Sequence, residues 1–272
     1  GEPTIRPGLI DWIGRISRDS RLQDISMTTN GVLLKKQAND YAKAGLKRVN
    51  ISLDTWDPDR FRILTRGGDI HRVIEGIHEA TRHFDPVKIN CVALRSNFFS
   101  DLQKFLQFAS DTDIEVRFIE LMPLFDQKEY FRKEFISTHE MMEEVKSLGW
   151  QLETRSKDHH QKAGQHNQSP GYGPATRVIA QRSRKTARLG FISQMSDTKC
   201  KTCNKLRMTS DGALKPCLLM PEEIPLRQII RDRDQDELVR VMKTYFLQRA
   251  ETYSAETIRN ENVPRKMQAI GG

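Results

Sequence analysis

Three of the chain's four cysteines, Cys200, Cys203 and Cys217, fall close together near the C-terminus. In Cys200-Lys201-Thr202-Cys203 the CxxC spacing puts two sulfurs on one side of a tight turn, close enough to share a metal. Cys217, beyond the Asp211-Gly212 turn, can fold back to the same point. Structural zinc takes four closed ligands, and no further cysteine or histidine stands nearby; His166 is the nearest upstream. A cubane iron–sulfur cluster on three thiolates suits the count better, because one iron stays open to another ligand. The third cysteine disfavours a thioredoxin-like pair, and three unrelated buried cysteines are the plain alternative. Cys91, alone in Ile89-Asn90-Cys91-Val92, reads as core packing.

Lys205, Arg207 and Lys215 stand beside these cysteines and favour an anionic ligand close to the metal. A zinc-ribbon nucleic-acid module would carry similar charges. Bases need aromatic stacking platforms, however, and none occurs between Lys199 and Lys215, which weakens that reading. The net charge of +8 favours an anionic partner without choosing among nucleic acid, phosphorylated substrate and acidic surface. At 37% hydrophobic and 29% charged residues the chain has the composition of a soluble globular protein, with no apolar run long enough to span a membrane.

The elements that must position these groups alternate. Asp24-Ile25-Ser26-Met27 reads as a strand closed by Thr28-Thr29-Asn30-Gly31, and 32–44 as a helix ended by Gly45. Strands follow at 48–51, 87–94 and 115–121, with helices at 70–84 and 102–109. The box Ser137-Thr138-His139-Glu140 opens a further helix that ends before Gly149. This alternation predicts a parallel sheet with helical crossovers, either an open doubly wound sheet or a (β/α) barrel. Thr28, Thr29, Asn30, Ser52, Asp54 and Glu120 lie at or just beyond the C-terminal ends of strands, where such folds place ligand chemistry; ordinary turn chemistry uses the same residues. Residues 151–188 read as a linker, with Arg177, Arg182, Arg184, Lys185 and Arg188 as a solvated basic run. Residues 226–246 read as helix.

Several ordered motifs carry a family resemblance. They are Gly1-Glu2-Pro3-Thr4-Ile5-Arg6-Pro7, Thr28-Thr29-Asn30-Gly31, Asn50-Ile51-Ser52-Leu53-Asp54, Val87-Lys88-Ile89-Asn90 and Arg117-Phe118-Ile119-Glu120-Leu121-Met122-Pro123. Cys200-Lys201-Thr202-Cys203-Asn204-Lys205-Leu206-Arg207, Asp211-Gly212, Cys217-Leu218 and the terminal Ile270-Gly271-Gly272 follow. The set resembles the MoaA-type GTP 3′,8-cyclases, radical S-adenosylmethionine enzymes of molybdenum cofactor biosynthesis.

The resemblance implies an incomplete (β/α)6 TIM-like barrel, here missing its first strands, over 1–150, then the linker and a C-terminal iron–sulfur and GTP-binding region over 189–272. It implies that Gly1, Ser52 and Met122 take S-adenosylmethionine, that Thr28, Lys88, Lys205, Leu206 and Arg207 take GTP, and that Cys200, Cys203 and Cys217 hold a [4Fe–4S] cluster. Arg207, Gly271 and Gly272 are the implied catalytic residues. In the family a 5′-deoxyadenosyl radical removes the ribose 3′ hydrogen of GTP, and the carbon radical attacks C8 of guanine. The radical-generating CxxxCxxC would lie upstream of Gly1, so the chain as written is expected to be inactive in that step. A second [4Fe–4S] cluster is expected only with that segment. Lys205 stands where the family has arginine, keeping the charge without the planar fork. The resemblance further implies a downstream cyclic pyranopterin synthase acting on the product, compatibility with a homodimer, neither nucleic-acid nor membrane binding, and a cytoplasmic (bacterial) or mitochondrial-matrix (eukaryotic) location. The other readings are a non-catalytic iron–sulfur and GTP-binding protein, or a zinc-binding nucleic-acid module.

Overall fold

The structure is a computed structural model that describes residues 1–123, 128–154, 175–197, 205–215, 217–218 and 222–252, the last seven of these in backbone alone. The described chain forms two compact units. The larger comprises the described residues of 2–121 and 134–193; the smaller comprises Gly1 and the described residues of 122–133 and from 194 onward.

The larger unit is built on strands β1 (Ser26–Thr29), β2 (Arg48–Ser52), β3 (Val87–Ala93), β4 (Glu115–Glu120), β5 (Gln151–Thr154), β6 (Thr176–Arg182) and β7 (Lys185–Ile192). They form one sheet in the order β1-β2-β3-β4-β7-β6-β5. Pairing is parallel from β1 through β4 to β7, and antiparallel for β7–β6 and β6–β5. A mixed α/β unit with a mostly parallel seven-stranded sheet fits a radical S-adenosylmethionine TIM-like fold.

Helix α1 (Leu9–Ile16) precedes β1, and the connections between strands are helical: α2 (Leu34–Lys43), α3 (Pro58–Leu64), α4 (Ile70–Ala80), α5 (Arg95–Thr112) and, beyond α6 (Lys128–Glu134), α7 (Thr138–Ser147). Local chemistry starts them. Asp57 caps α3 ahead of Pro58, and Asp69 caps α4 through the His71 N–H. Ser137 and Glu140 make the reciprocal capping box expected from the sequence. The buried stripe Ile70, Val73, Ile77 and Ala80 keeps α4 on the sheet. Close approach is enforced at Gly76, where a Cβ would stand 2.1 Å from the Gly31 carbonyl oxygen.

One face of the sheet is apolar. Met27, Val49, Ile51, Ile89, Cys91, Val116, Phe118, Leu189 and Phe191 point to it and are all buried. Phe118 sits at its centre, with ring centroids 5.2 Å from Phe98, 5.6 Å from Phe105 and 5.9 Å from Phe191. Cys91 is 2% exposed, the core role expected of it.

The segment 151–188 departs from the linker reading. Its described ends form β5, β6 and the start of β7, all in the main sheet. The signal is hidden because the core positions Val178, Ala180, Ala187 and Leu189 are interrupted or bounded by Arg177, Gln181, Arg182, Lys185 and Arg188, which makes an amphipathic hairpin look like a charged loop. The turn residue Ser183 takes a left-handed φ of 56° without the usual glycine or asparagine. Residues 226–246 likewise form two helices, α8 (Arg227–Arg231) and α9 (Gln235–Thr252). Arg233, at φ 56°, ends the first, and the Asp234 carboxylate accepts the Glu237 N–H to start the second.

The smaller unit carries a three-stranded sheet, β10-β9-β8, from β8 (Arg207–Met208), β9 (Ala213–Lys215) and β10 (Ile224–Pro225). Its buried cluster is Leu214, Leu226 and Tyr245, with Leu206 and Ile224 packed against it.

Candidate functional site

Side chains alternate across a strand, so the face opposite the apolar core holds the intervening residues. The ladder aligns them in rows. Thr28 lies opposite Asn50, Asn50 opposite Lys88, and Lys88 opposite Glu115. One step along, Ser52 faces Asn90, Asn90 faces Arg117, Arg117 faces Gly190, and Gly190 faces Arg177. A sheet with an apolar face on its helices thus presents a second face that is polar throughout this region.

The polar face is buried where its charges are densest. Lys88 is 2% exposed and Arg117 7%. Burial, reinforced by Arg117 and opposed by Glu115, brings the Lys88 ammonium down to about 8; Arg177 and Arg48 push the same way as Arg117. Burial raises the Glu115 carboxyl, but Arg117, Lys88 and Arg177 outweigh it and hold the group below its ordinary value. Arg117 donates from Nε to Glu115 Oε1, and Arg177 Nε stands 3.5 Å from Oε2.

Three buried side-chain polar atoms of this face are left over, one of them Arg188 Nε on β7. Arg117 Nη2 and Asn90 Oδ1 are buried, and neither has a hydrogen-bond partner among the described residues. A buried donor or acceptor without a partner costs about 1–3 kcal/mol. A donor and an acceptor left open on neighbouring strands are what a bound polar ligand would satisfy.

The strand ends are organised by their own side chains. Glu2 accepts from Thr29 Oγ1 at 2.6 Å and from the Asn30 N–H at 2.7 Å, fixing the turn after β1. Asp54 accepts the Val92 N–H at 2.9 Å, while Asn97 donates to its carbonyl oxygen at 2.8 Å. This ties the end of β2, and with it Ser52, to β3 and α5. Burial lifts the Asp54 carboxyl to about 6, the Val92 hydrogen bond pulling the other way. Glu120 turns to the opposite side and accepts the Thr138 N–H at the start of α7. Its role is a helix start, so position at a strand end alone does not make a ligand site.

In the smaller unit Arg207 on β8 lies opposite Lys215 on β9. Lys215 is fully buried, with Nζ 3.7 Å from Glu223 Oε1. The turn between these strands is held by Thr209 Oγ1, which bonds Asp211 Oδ1 at 2.5 Å and accepts the Ala213 N–H at 2.9 Å. Gly212 takes φ 88° there, the left-handed conformation the Asp211-Gly212 pair anticipates. Cys217 follows as a free, partly exposed thiol.

Family comparison then decides the relationship. Residues 1–109 match the radical SAM superfamily and residues 114–255 match the family Molybdenum Cofactor Synthesis C. A GTP 3′,8-cyclase of Alkaliphilus oremlandii is 37% identical over 273 residues, covering 100% of this chain and 79% of that protein. One from Thermodesulfovibrio yellowstonii is 38% identical, covering 91% of this chain and 73% of its own. The chain belongs to the GTP 3′,8-cyclase family. It is a radical S-adenosylmethionine enzyme of molybdenum cofactor synthesis. Human molybdenum cofactor biosynthesis protein 1 is also similar, 35% identical over 89% of this chain and 36% of that protein.

Within this family the expected site residues divide between the units. Thr28, Ser52 and Lys88 share the polar face of the larger one, exposed, partly buried and buried in turn. Gly1, Met122, Lys205, Leu206, Arg207 and Cys217 belong to the smaller. Leu206 packs on the core there, so its side chain serves the fold. Cys200, Cys203, Gly271 and Gly272 lie outside the described residues.

Arg117 and Asn90 stand in family motifs that give neither a role, and Glu115 stands outside those motifs. The available signal was Glu115 and Arg117 alternating with Val116 and Phe118, charge at period two in a strand with a core face. Arg177 and Arg188 were assigned to a solvated run. The structure instead pins Arg177 to Glu115 and Arg188 to Asp113, at 3.0 Å.

Proposed function

We propose that this chain binds GTP and S-adenosylmethionine and serves the conversion of GTP to 3′,8-cyclo-GTP in molybdenum cofactor synthesis. The observation that carries the reading is the buried pair Lys88 and Arg117 with Asn90 opposite Arg117, where Arg117 Nη2 and Asn90 Oδ1 have no partner among the described residues. Lys88 and Arg117 suit an oxyanion such as a phosphate, and Thr28 offers a hydroxyl at the row's end. Ser52, whose ladder partner Asn90 holds the open acceptor, suits a hydroxyl-bearing group, in keeping with S-adenosylmethionine there and at Gly1 and Met122. Lys205 and Arg207 are GTP residues on the family pattern, and Gly271 and Gly272 matter for the chemistry.

Cys217 fits a cluster ligand by its environment. Its thiol is partly exposed, whereas burial drives the Cys91 thiol well above its ordinary value, so the thiolate a metal needs is disfavoured at Cys91. Cys200, Cys203 and Cys217 would hold one [4Fe–4S] cluster. S-adenosylmethionine held at Gly1, Ser52 and Met122 would supply a 5′-deoxyadenosyl radical for removal of the ribose 3′ hydrogen once one electron from a reduced iron–sulfur cluster broke its sulfur–C5′ bond and released methionine. The chain's own residues bind and orient: Lys88 and Arg117 hold the triphosphate, and the dry sheet face strengthens those contacts by excluding water.

Two measurements test this on the 272-residue chain. Anaerobic reconstitution followed by iron and sulfide analysis should give one cubane that is lost in Cys217→Ser; stoichiometric zinc without iron uptake would overturn the cluster. Equilibrium titration should show GTP binding that weakens about tenfold or more in Lys88→Ala. Unchanged affinity there would remove the row from the GTP site.

A further inference from the structure

One charged group on the polar face has no use in the reading so far. Glu115 opens β4 in the middle of a cluster of cations, and it is 9% exposed. Arg117 takes one carboxylate oxygen, Arg177 approaches the other, and Lys88 lies directly opposite in the ladder. By Coulomb's law alone a buried carboxylate beside an anion site weakens the site. Its presence therefore calls for a contribution that outweighs repulsion.

Gly190 shows how the arrangement is made. It sits on β7 between Arg117 on one side and Arg177 on the other. A Cβ at this position would stand 3.0 Å from Arg117 Cγ, 3.3 Å from Ala175 Cβ and 3.4 Å from Glu115 Oε1. Any side chain would press on both members of the Arg117–Glu115 pair. The missing side chain leaves a notch that lets Arg117 fold back to Glu115 through Nε. With Nε so engaged, Nη2 is the donor left without a partner.

We propose that Glu115, seated beside the notch at Gly190, is a positioning residue that fixes the Arg117 guanidinium so that Nη2 is presented to the anionic group of the substrate. The inference rests on reading this row as the GTP site. Glu115 has a second effect through charge. The groups facing Lys88 are Arg48 on β2, Glu115 and Arg117 on β4, and Arg177 on β6. Glu115 is the anion among them and supports the proton that Lys88 needs to meet a phosphate.

The test is GTP titration of the 272-residue chain between pH 6.5 and 9, with melting temperature as a check on folding. If Glu115 acted as a charge alone, Glu115→Gln would tighten binding of an anion. The proposal expects the opposite, a loss of about fivefold or more at pH 6.5. It also expects the pH at which binding fades to move toward acid, and Glu115→Asp to move it back. Gly190→Ala keeps every charge and crowds Arg117, so it should weaken GTP without moving that pH. Tighter or equal binding in Glu115→Gln, or an unaffected Gly190→Ala, overturns the positioning role while Lys88→Ala and Arg117→Ala remain weak. Unchanged affinity in those last two variants would instead remove the GTP reading itself. If Glu115→Gln fails to fold, Gly190→Ala decides alone.

Discussion

The two sheets of this chain present their chemistry in contrasting ways. In the larger unit Lys88, Glu115 and Arg117 lie in the interior face of a seven-stranded sheet whose other face is packed on helices. In the smaller unit Arg207 stands on a three-stranded sheet with a core of Leu214, Leu226 and Tyr245, and Cys217 lies just beyond its strand β9. The larger sheet can bury charges and leave a donor and an acceptor unsatisfied because a large apolar core offsets the cost. Among the described residues the smaller one has a lesser apolar reserve, and its one fully buried cation there has Glu223 beside it. A large core thus permits a desolvated anion site, while a small one favours ligands that bring their own binding energy, as a metal cluster does.

The contrast can be broken first at the cores. Phe118→Ala should cost about 3–5 kcal/mol, because it removes the ring that Phe98, Phe105 and Phe191 surround. Leu226→Ala, in the smaller cluster, should cost nearer 2 kcal/mol. Denaturant unfolding of both variants measures the difference; equal losses would remove the asymmetry on which the comparison stands.

Substrate contacts come next. Arg117→Ala should weaken GTP by about ten- to a hundredfold, since a well-formed charged contact is worth roughly 1.5–3 kcal/mol. Arg207→Ala, at a partly exposed position, should fall at the low end of that range, and Arg184→Ala, at an exposed one, should change little. Similar losses in all three would point to a diffuse basic surface.

A smaller effect separates the units by pH. Lys88 in the unliganded chain loses its proton near pH 8, so it meets a phosphate as a cation below that value. GTP affinity should therefore hold up to about pH 8 and decline above it. Arginine stays charged across this range, so Arg207 gives no such dependence. The decline should disappear in Lys88→Ala, as calorimetry over the pH range would record.

The smallest expected effect concerns the strand end that holds Ser52. Asp54 has its carboxyl raised from 3.8 to about 6 in the folded chain. A raised acid binds its proton more tightly in the native state, so its contribution favours low pH and is lost as pH climbs through that interval. Asp54→Asn keeps an oxygen for the Val92 N–H and carries no charge. The melting-temperature difference between variant and parent should therefore be small near pH 4 and shift in favour of the variant by about pH 7. A difference that stays flat with pH would show that Asp54 does not titrate in this interval.

Much of both units was legible in the sequence because the signals concerned are local. The Ser137–Glu140 box, the α4 stripe and the Asp211-Gly212 turn each depend on residues a few positions apart. The cysteine spacing and the ordered motifs were legible for the same reason, and they led to the family. The hairpin of β6 and β7 was not, because its cations belong to a face that exists only once β7 pairs with β4.

Sequence by itself determined the alternating elements, their caps, the family and the identity of the lysine, arginine and cysteine side chains available for chemistry. Only the tertiary structure decided which of them share a face. Glu115, Arg117 and Arg177 come together because the parallel β4–β7 ladder and the antiparallel β7–β6 ladder put Arg117 and Arg177 on either side of Gly190, with β4 far from β6 and β7 in the chain. Register across a sheet is set by packing of the apolar face over many strands at once. Burial, the lowered Lys88 proton affinity and the open donor of Arg117 all follow from that packing, and no window of sequence contains it.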